Sequence, residues 1–151
     1  MLIARTITEC VSFRKKLNNN VGLVPTMGSL HEGHIALIKR SLKTCDITIV
    51  SIFLNPKQFS ANEDLNSYPV NDSRDLKILK KLNVDLIFMP KQSEIYLENH
   101  SIDVVENKLS ILLEGSSRPH FFRGVLTVVS KLFNICNPTD VFFGKKDAQQ
   151  L

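Results

Sequence analysis

The sequence has no tryptophan and only three cysteines. Cys10, Cys45 and Cys136 are odd in number, lie far apart along the chain and fall in apolar settings. Paired cysteines would indicate a disulfide framework and closely spaced ones a metal site, so this pattern favours neither. It predicts three reduced thiols in the protein core.

Long hydrophobic runs are also absent. No apolar stretch approaches the roughly 20 residues that a membrane-spanning helix needs. The first ten residues, MLIARTITEC, lack the long apolar run and the small-residue cleavage site of a signal peptide. The sequence therefore predicts a cytoplasmic protein that does not bind membranes.

Basic runs with interleaved aromatic residues are missing, which argues against nucleic acid as a partner. Lys39, Arg40 and Lys43 are spread around a predicted helix, as solvated charges usually are. The formal net charge of +4 favours an anionic ligand. With 151 residues, 43% of them hydrophobic, the chain fits one globular domain with a single core.

Apolar runs of strand length alternate with helical patterns along the whole chain. The predicted strands cover residues 21–26, 47–53, 84–89, 102–105 and 141–143. The predicted helices cover about residues 8–18, 32–44, 71–82, 107–113 and 122–136. Because strands and helices alternate at these lengths, we predict an α/β fold with a parallel sheet covered by helices on both faces.

In such a sheet, ligands bind beyond the carboxyl ends of the strands. Polar segments lie at three of these ends: residues 26–34, 55–59 and 144–147. Because parallel strands end at the same edge, these segments should lie close together. The pattern predicts a binding site there.

The most informative segment is PTMGSLHEGH, residues 25–34. His31 and His34 are three residues apart and therefore lie on one face of the first helical turn. The unpaired N–H groups of a helix start suit a phosphate, and Gly33 would let a flat base or sugar approach the backbone. The segment predicts a nucleotide site in which imidazoles meet the charge of a breaking phosphoanhydride. The alternative is an ordinary connection in which Ser29 starts the helix and both histidines are surface residues.

Two further segments offer polar side chains with ordinary alternatives. Asn55 and Gln58 carry amides that suit a small substrate with hydroxyl and carboxylate groups, although Asn55 also precedes a proline and fits a simple turn. Arg118 and Arg123 flank a loop before the last long helix and could hold a phosphate or carboxylate, although exposed arginines often bind nothing specific.

The fourth segment, FGKKDAQQ, follows the last predicted strand. Gly144 at a strand end, followed by Lys146 and Asp147, fits recognition of nucleotide phosphate and ribose. The alternative is that Asp147 caps a helix and the lysines point into solvent.

Taken together, these segments resemble the pantothenate synthetase family, whose members are also called pantoate:beta-alanine ligases. The resemblance runs over residues 1–151 and rests on PTMGSLHEGH, SIFLNPKQF, EDLNSYP, LEGSSRP with FRGV, SKLFN and FGKKDAQQL. It implies a Rossmann-like nucleotidyltransferase fold. It also implies that ATP and pantoate form pantoyl adenylate and pyrophosphate with Mg²⁺ present, after which beta-alanine displaces AMP.

The resemblance also implies roles for individual residues. ATP binding is assigned to Met27, Gly28, Ser29, Leu30, His31, Glu32, Gly33, His34, Gly144, Lys145, Lys146 and Asp147. The catalytic residues are expected to be His34, His31 and Lys146, because imidazole and ammonium groups would stabilise the charge on departing pyrophosphate. Pantoate binding is assigned to Gln58 and Gln150 by the resemblance, and to Asn55 by the chemistry of its amide. No side chain is predicted to ligate a metal ion.

Several residues depart from the family pattern. Phe121 replaces a histidine, and His120, one residue earlier, could reach the same space only if the loop shifts. Val70 replaces an arginine for which Arg74 could substitute, as an affinity measurement would test. Lys145 stands where an acidic or polar residue is common.

Members of the family are longer than this chain. We therefore expect residues 1–151 to form a truncated N-terminal domain that binds nucleotide and pantoate, with the family's C-terminal domain absent. The resemblance suggests a homodimer. Alternatives are a catalytically impaired fragment, a non-catalytic remnant that only binds ligand, or another nucleotidyltransferase. Val125, Val128 and Val129 could face the substrate's gem-dimethyl group or simply form part of the core.

Overall fold

A parallel β-sheet organises the protein. The computed structural model describes residues 1–59, 65 and 68–150, and within these ranges the sheet has five strands. They are β1 (Leu2–Ala4), β2 (Val21–Thr26), β3 (Ile47–Ile52), β4 (Leu86–Phe88) and β5 (Asp140–Val141). Their spatial order is β1-β4-β3-β2-β5, and each pair is parallel. The predicted parallel sheet is therefore confirmed.

Helices connect these strands. They are α1 (Ile7–Arg14), α2 (Glu32–Thr44), α3 (Asp72–Lys81), α4 (Gln92–Ile95), α5 (Glu114–Ser117) and α6 (Phe121–Cys136). Short 3-10 segments span Pro56–Gln58 and Lys145–Gln150. Side chains define several helix starts: Thr6 and Glu9 form a reciprocal capping box at α1, and Asn71 caps α3. Most of the EDLNSYP segment lies outside the described residues.

Both faces of the sheet are covered by helices. Successive strand residues point to opposite faces, so Leu23 and Ile49 pack towards α1 and α6, whereas Val24 and Val50 pack towards α2 and α3. All four side chains are fully buried. Two apolar layers therefore hold the sheet and fix the positions of its strand ends, as the α/β prediction required.

Two predicted elements are wrong. Residues 102–105 form no strand, and residues 107–113 form turns instead of a helix. The carboxylate of Glu106 accepts the backbone N–H groups of Lys108, Leu109 and Ser110, which folds this segment into a local turn. The sheet edge next to β4 is occupied by β1, a three-residue strand that was not predicted.

The prediction of core thiols is confirmed for Cys10 and Cys136 and only in part for Cys45. All three cysteines are free, and Cys10 and Cys136 are buried while Cys45 is partly buried. The Sγ atoms of Cys10 and Cys136 lie 3.8 Å apart, although the two residues are far apart in sequence. Among the described residues, no helix is long and apolar enough to cross a bilayer.

Candidate active site

A cleft of about 570 Å³ opens at the carboxyl ends of β2, β3 and β5. Each of the four polar segments singled out in the sequence contributes to its wall. Six of the predicted ATP-binding residues line it: Met27, Ser29, His31, His34, Lys146 and Asp147. The expectation that polar segments at neighbouring strand ends would meet is thus confirmed by the geometry.

The remaining predicted ATP-binding residues do not line the cleft: Gly28, Leu30, Glu32, Gly33, Gly144 and Lys145. Leu30 is fully buried in the core, where its side chain packs between the sheet and α2 and α3. Gly28 and Leu30 belong to the loop between β2 and α2, whereas Glu32 and Gly33 lie in the first turn of α2. Gly144 directly precedes the last 3-10 segment and Lys145 begins it, and none of the six contributes to the cleft wall.

The loop between β2 and α2 is held by specific hydrogen bonds. Gly28 and Ser29 have φ angles of 88° and 51°, in the left-handed region that favours glycine. The hydroxyl of Thr26 accepts the N–H of Gly28, and Asp75 Oδ1 accepts the N–H of Leu30 at 3.0 Å. Asp75 is fully buried beneath the loop and was not identified from the sequence. Asp75 lies on α3, far along the sequence from this loop, so the two come into contact only in the folded chain.

The two histidines build the start of α2. His31 is the N-cap residue, and its Nδ1 accepts the N–H of Gly33 at 3.1 Å. His34 Nδ1 accepts the N–H of His31 at 3.4 Å, and the ring centroids lie 4.0 Å apart. Because both Nδ1 atoms accept in these hydrogen bonds, the ring hydrogen of each histidine lies on Nε2. The alternative in which Ser29 starts the helix is wrong.

Beside Gly33, where the sequence suggests the approach of a base or sugar, the structure places the His31 ring. A Cβ atom on Gly33 would lie 2.8 Å from His31 Cε1, so the space beside this glycine is filled by the His31 ring. The small residue at this position allows the histidine cap to form. The N–H of Gly33 is taken by that cap, so phosphate recognition would fall to the side chains that face the cleft.

The surroundings of His34 lower its pKa. Burial is the main cause that lowers the pKa of His34 from 6.5 to about 4; the neighbouring His31 and Lys146 act in the same direction, and Asp147 and Asp75 oppose them. At neutral pH His34 is therefore an uncharged imidazole with Nε2–H available as a donor. Such a group can hydrogen-bond a phosphate oxygen but holds no surplus proton to transfer.

An NMR titration of the His34 ring should give a pKa of about 4. Lys146→Met should raise this pKa, because the nearby positive charge disfavours the imidazolium form. Lys145→Met is the matched control and should leave it unchanged, since Lys145 is not among the causes of the shift. A wild-type pKa near 6.5, or equal shifts in both variants, would contradict the assignment.

The same shift has a consequence for stability. Because the folded-state pKa lies below the unfolded value, the contribution of neutral His34 is complete above about pH 6.5. It is lost as the pH falls from there towards 4, where the unfolded chain binds the additional proton.

The 3-10 turn after β3 carries Gln58 into the cleft, but Asn55 lies behind it. Asn55 is fully buried and does not line the cleft, so the expectation that its amide contacts pantoate directly is not supported. Its Nδ2 donates to Gln58 Oε1 at 2.8 Å. Asn55 therefore supports the glutamine that faces the ligand.

The two arginines of the third segment have different surroundings. Arg118 lines the cleft, donates to the backbone carbonyl of Gln58 at 3.1 Å and stacks on the Phe121 ring at 4.0 Å. Arg123 is an exposed side chain that pairs with Asp103 at 2.9 Å and takes no part in the cleft wall. Only the first arginine is positioned to meet a ligand.

The structure also places the residues that depart from the family pattern. Phe121 lines the cleft, whereas His120 is exposed and lies outside its wall, so it does not take over the space of the missing histidine. Val70 is 61% exposed, and Arg74 lies along α3, outside the cleft. Neither His120 nor Arg74, the neighbours suggested from the sequence, lines the cleft.

The last segment brings a cation to the cleft. Lys146, Asp147 and Gln150 line it, and Lys146 Nζ lies 3.0 Å from Asp147 Oδ1. The Lys146 side chain is 63% exposed and can extend towards an anion. Asp147 lies at a kink between two 3-10 turns, and its Oδ1 contacts Lys146. Lys145 and Lys146 are both exposed, as the alternative expects.

An apolar wall from α6 completes the cleft. Val125, Val128 and Val129 line it, and Val125 and Val128 are also buried in the core. These valines therefore lie both at the cleft surface and against the core, the two positions considered from the sequence.

Known proteins are similar in sequence to this chain over nearly its whole length. The family model described as Pantoate-beta-alanine ligase matches residues 2–151. The chain belongs to this family. A pantothenate synthetase of Fervidobacterium nodosum is 51% identical over 99% of this chain and 55% of its own length, and one of Campylobacter hominis is 52% identical over 100% and 55%.

Solved structures of the family share the fold. A pantoate-beta-alanine ligase from Thermus thermophilus matches with a TM-score of 0.95 and 42% identity, over 99% of this chain and 54% of its own. A ligase from Francisella tularensis, solved with beta-gamma ATP and beta-alanine, matches with a TM-score of 0.96 and 42% identity, over 99% and 59%. The Rossmann-like nucleotidyltransferase fold is thus confirmed. The chain spans about half the length of the curated pantothenate synthetases it matches.

Proposed function

We propose that residues 1–151 supply the ATP- and pantoate-binding part of a pantoate:beta-alanine ligase. In the first step, the pantoate carboxylate attacks the α-phosphorus of ATP, the bond to the β-phosphate oxygen breaks, and pyrophosphate leaves. In the second, the amine of beta-alanine attacks the acyl carbon of pantoyl adenylate and displaces AMP. The observation that carries the proposal is that one cleft joins donors suited to phosphates with amides and an apolar wall suited to pantoate.

The donors on the ATP side suit a departing anion. His34 and His31 each carry a hydrogen on Nε2, and Lys146 adds a positive charge at the same end of the cleft. Negative charge builds on the leaving phosphate oxygens as the bond breaks. Donors already fixed in place stabilise this charge without reorganising. We assign catalytic roles to these three residues on that basis.

Other residues of the cleft suit pantoate. Gln58 and Gln150 offer amides for carboxylate and hydroxyl oxygens, and Val125, Val128 and Val129 offer apolar surface for the gem-dimethyl group. The half-buried aromatic side chains of Phe59 and Tyr68 stand edge to face at 5.9 Å and also line the cleft. This combination of a few polar groups with an apolar surface is typical of small-molecule sites.

Mg²⁺ is part of the same proposal. Across the part of the chain that the structure describes, no three or more His, Cys, Asp or Glu side chains form a metal cage. Mg²⁺ in phosphoryl-transfer sites is held chiefly by substrate phosphates, waters and one or two carboxylates. Asp147, whose carboxylate lines the cleft beside Lys146, fits this need. When bound, Mg²⁺ would offset the charge of the phosphates.

A homodimer and a cytoplasmic location complete the proposal. Residues 102–113, which form no strand or helix, carry several exposed apolar side chains. These support association of two copies of the chain through this surface: Ile102, Val105, Leu109, Ile111 and Leu113.

Pantoate-dependent release of pyrophosphate from ATP tests the proposal. The purified chain with ATP and Mg²⁺ should release pyrophosphate only when pantoate is added, and AMP should follow when beta-alanine is added. Saturable binding of ATP and pantoate without pyrophosphate release would instead indicate a module that only binds ligand. Absence of pantoate binding would overturn the proposal, and pyrophosphate release with other acceptors would favour another nucleotidyltransferase.

A further inference from the structure

A chain of hydrogen bonds connects Tyr96, which does not line the cleft, to Gln58, which does. Tyr96 Oη contacts Asn55 Oδ1 at 2.8 Å, and the N–H of Lys57 donates to the same oxygen at 3.4 Å. Asn55 Nδ2 donates to the carbonyl of Gly124 at 3.0 Å and to Gln58 Oε1 at 2.8 Å. Four contacts thus engage one buried amide.

These contacts determine which way the Asn55 amide points. A backbone N–H can only donate and a backbone carbonyl can only accept, so Lys57 identifies Oδ1 and Gly124 identifies Nδ2. The Tyr96 hydroxyl must then donate to Oδ1. Since Nδ2 donates to Gln58, Oε1 of Gln58 is occupied and its Nε2 hydrogens are left to face the cleft. Gln58 is thereby presented as a donor, which suits a carboxylate or hydroxyl oxygen and not an ammonium group.

The tyrosine itself is held firmly. Its ring lies 6.1 Å from that of Phe53 and 5.0 Å from that of His100, and the ammonium groups of Lys57 and Lys131 lie over it at 5.2 and 5.7 Å. Burial raises the pKa of Tyr96 well above 10, so the hydroxyl keeps its hydrogen.

An ion cluster anchors the segment that follows Tyr96. Asp103 contacts Lys57 Nζ at 2.6 Å, Arg123 Nε at 2.9 Å and His100 Nε2 at 3.1 Å. Lys57 belongs to the turn that carries Gln58, and Arg123 belongs to α6. The cluster therefore joins the Tyr96 segment to both elements on which the amide chain depends.

We propose that Tyr96 is a positioning residue which, through Asn55, orients the Gln58 amide so that its N–H donors face the acidic substrate. This inference deepens the proposed function and rests on it for the identity of pantoate. It explains why a buried asparagine and a tyrosine outside the cleft are bonded in series to a ligand-facing glutamine.

The substitution Tyr96→Phe removes only the hydroxyl and keeps the ring. It leaves Asn55 Oδ1 with the long Lys57 contact alone, while Asn55 Nδ2 keeps the Gly124 carbonyl, so the Asn55 and Gln58 amides should be held less firmly in their orientation. Pantoate should bind about 3- to 10-fold more weakly, in line with the loss of one net hydrogen bond. ATP affinity should be unchanged. Calorimetric titration of each ligand measures both. Lys131→Met, which alters the same ring environment without touching the amide chain, should leave pantoate affinity unchanged.

A double substitution separates positioning from a general structural effect. If Tyr96 acts only through Gln58, Tyr96→Phe should have no further effect on pantoate binding in a Gln58→Ala background. Equal weakening in both backgrounds, or wild-type affinity in Tyr96→Phe, would overturn the inference.

The ligand-free chain gives a readout that does not depend on the proposed function. The Nε2 hydrogens of Gln58, observed by NMR in the ¹⁵N-labelled chain, should shift towards the values of unrestrained glutamine in Tyr96→Phe. An unchanged spectrum would overturn the inference even if pantoate binds. If the wild-type chain binds no pantoate while this shift is seen, the proposed substrate fails and the positioning role stands.

Discussion

Replacing His34 with alanine should reduce pantoate-dependent pyrophosphate release about 10²–10³-fold, the usual effect of removing one preorganised donor to a developing negative charge. His34 is held neutral by its surroundings, with its pKa lowered to about 4, and it lines the cleft near Lys146. The expected loss is therefore that of a hydrogen bond to the leaving phosphate oxygens. Single-turnover pyrophosphate release measures it directly.

The fold should survive this substitution. The His34 ring is only half-buried, and its hydrogen bond to the N–H of His31 is long at 3.4 Å. Circular dichroism and the thermal midpoint should thus remain close to those of the wild type. His120→Ala is the matched control, because His120 is exposed and lies outside the cleft. Unimpaired pyrophosphate release by His34→Ala would refute the catalytic role.

Replacing Gly124 with alanine should lower the free energy of unfolding by about 2 kcal/mol, within the range for overpacked sites. A Cβ atom here would lie 2.2 Å from the carbonyl oxygen of Lys57, 2.5 Å from its carbon and 2.8 Å from the nitrogen of Gln58. All three are backbone atoms, which cannot swing aside. The clash should outweigh the roughly 1 kcal/mol that alanine gains over glycine in a helix interior.

The same substitution should weaken pantoate binding, since α6 and the Gln58 turn would be pushed apart and the contact from Asn55 to the Gly124 carbonyl would be strained. Urea denaturation measures the stability change. Gly144→Ala is the matched stability control: the nearest atoms to its Cβ would be 3.6 Å away, so the change should be neutral or slightly stabilising. Equal stability of Gly124→Ala and the wild type would contradict the predicted close approach of α6 and the turn.

The central elements were predictable because their patterns are strong and local. The predicted helix at residues 32–44 matches α2, and the predicted strand at 21–26 matches β2. Residues 102–105 have the composition of a strand, but a strand also needs a partner, and the available edge of β4 is taken by β1. Which strand pairs with β4 from far away in the sequence is decided by the whole sheet and not by the local pattern of residues.

The candidate site was likewise predictable only in part. The residue types in PTMGSLHEGH and FGKKDAQQL indicated an anion site, and His31, His34 and Lys146 do share a cleft. The sequence did not reveal that Asn55 would be buried behind Gln58. Asn55 and Gln58 look equivalent as amides three residues apart, and only the packing of α6 against their turn separates a ligand-facing amide from a supporting one.

By itself the sequence determined the family, the alternating α/β pattern and the chemical character of the site, because these depend on residue type and short-range spacing. Tertiary structure alone decided the orientation of each group. The neutral state of His34 comes from burial and neighbouring groups, and the direction of the Gln58 amide comes from Asn55, which contacts Gly124 and Tyr96 on distant segments. Electrostatic environment and hydrogen-bond direction are properties of groups brought together in space, and the order of residues along the chain does not carry them.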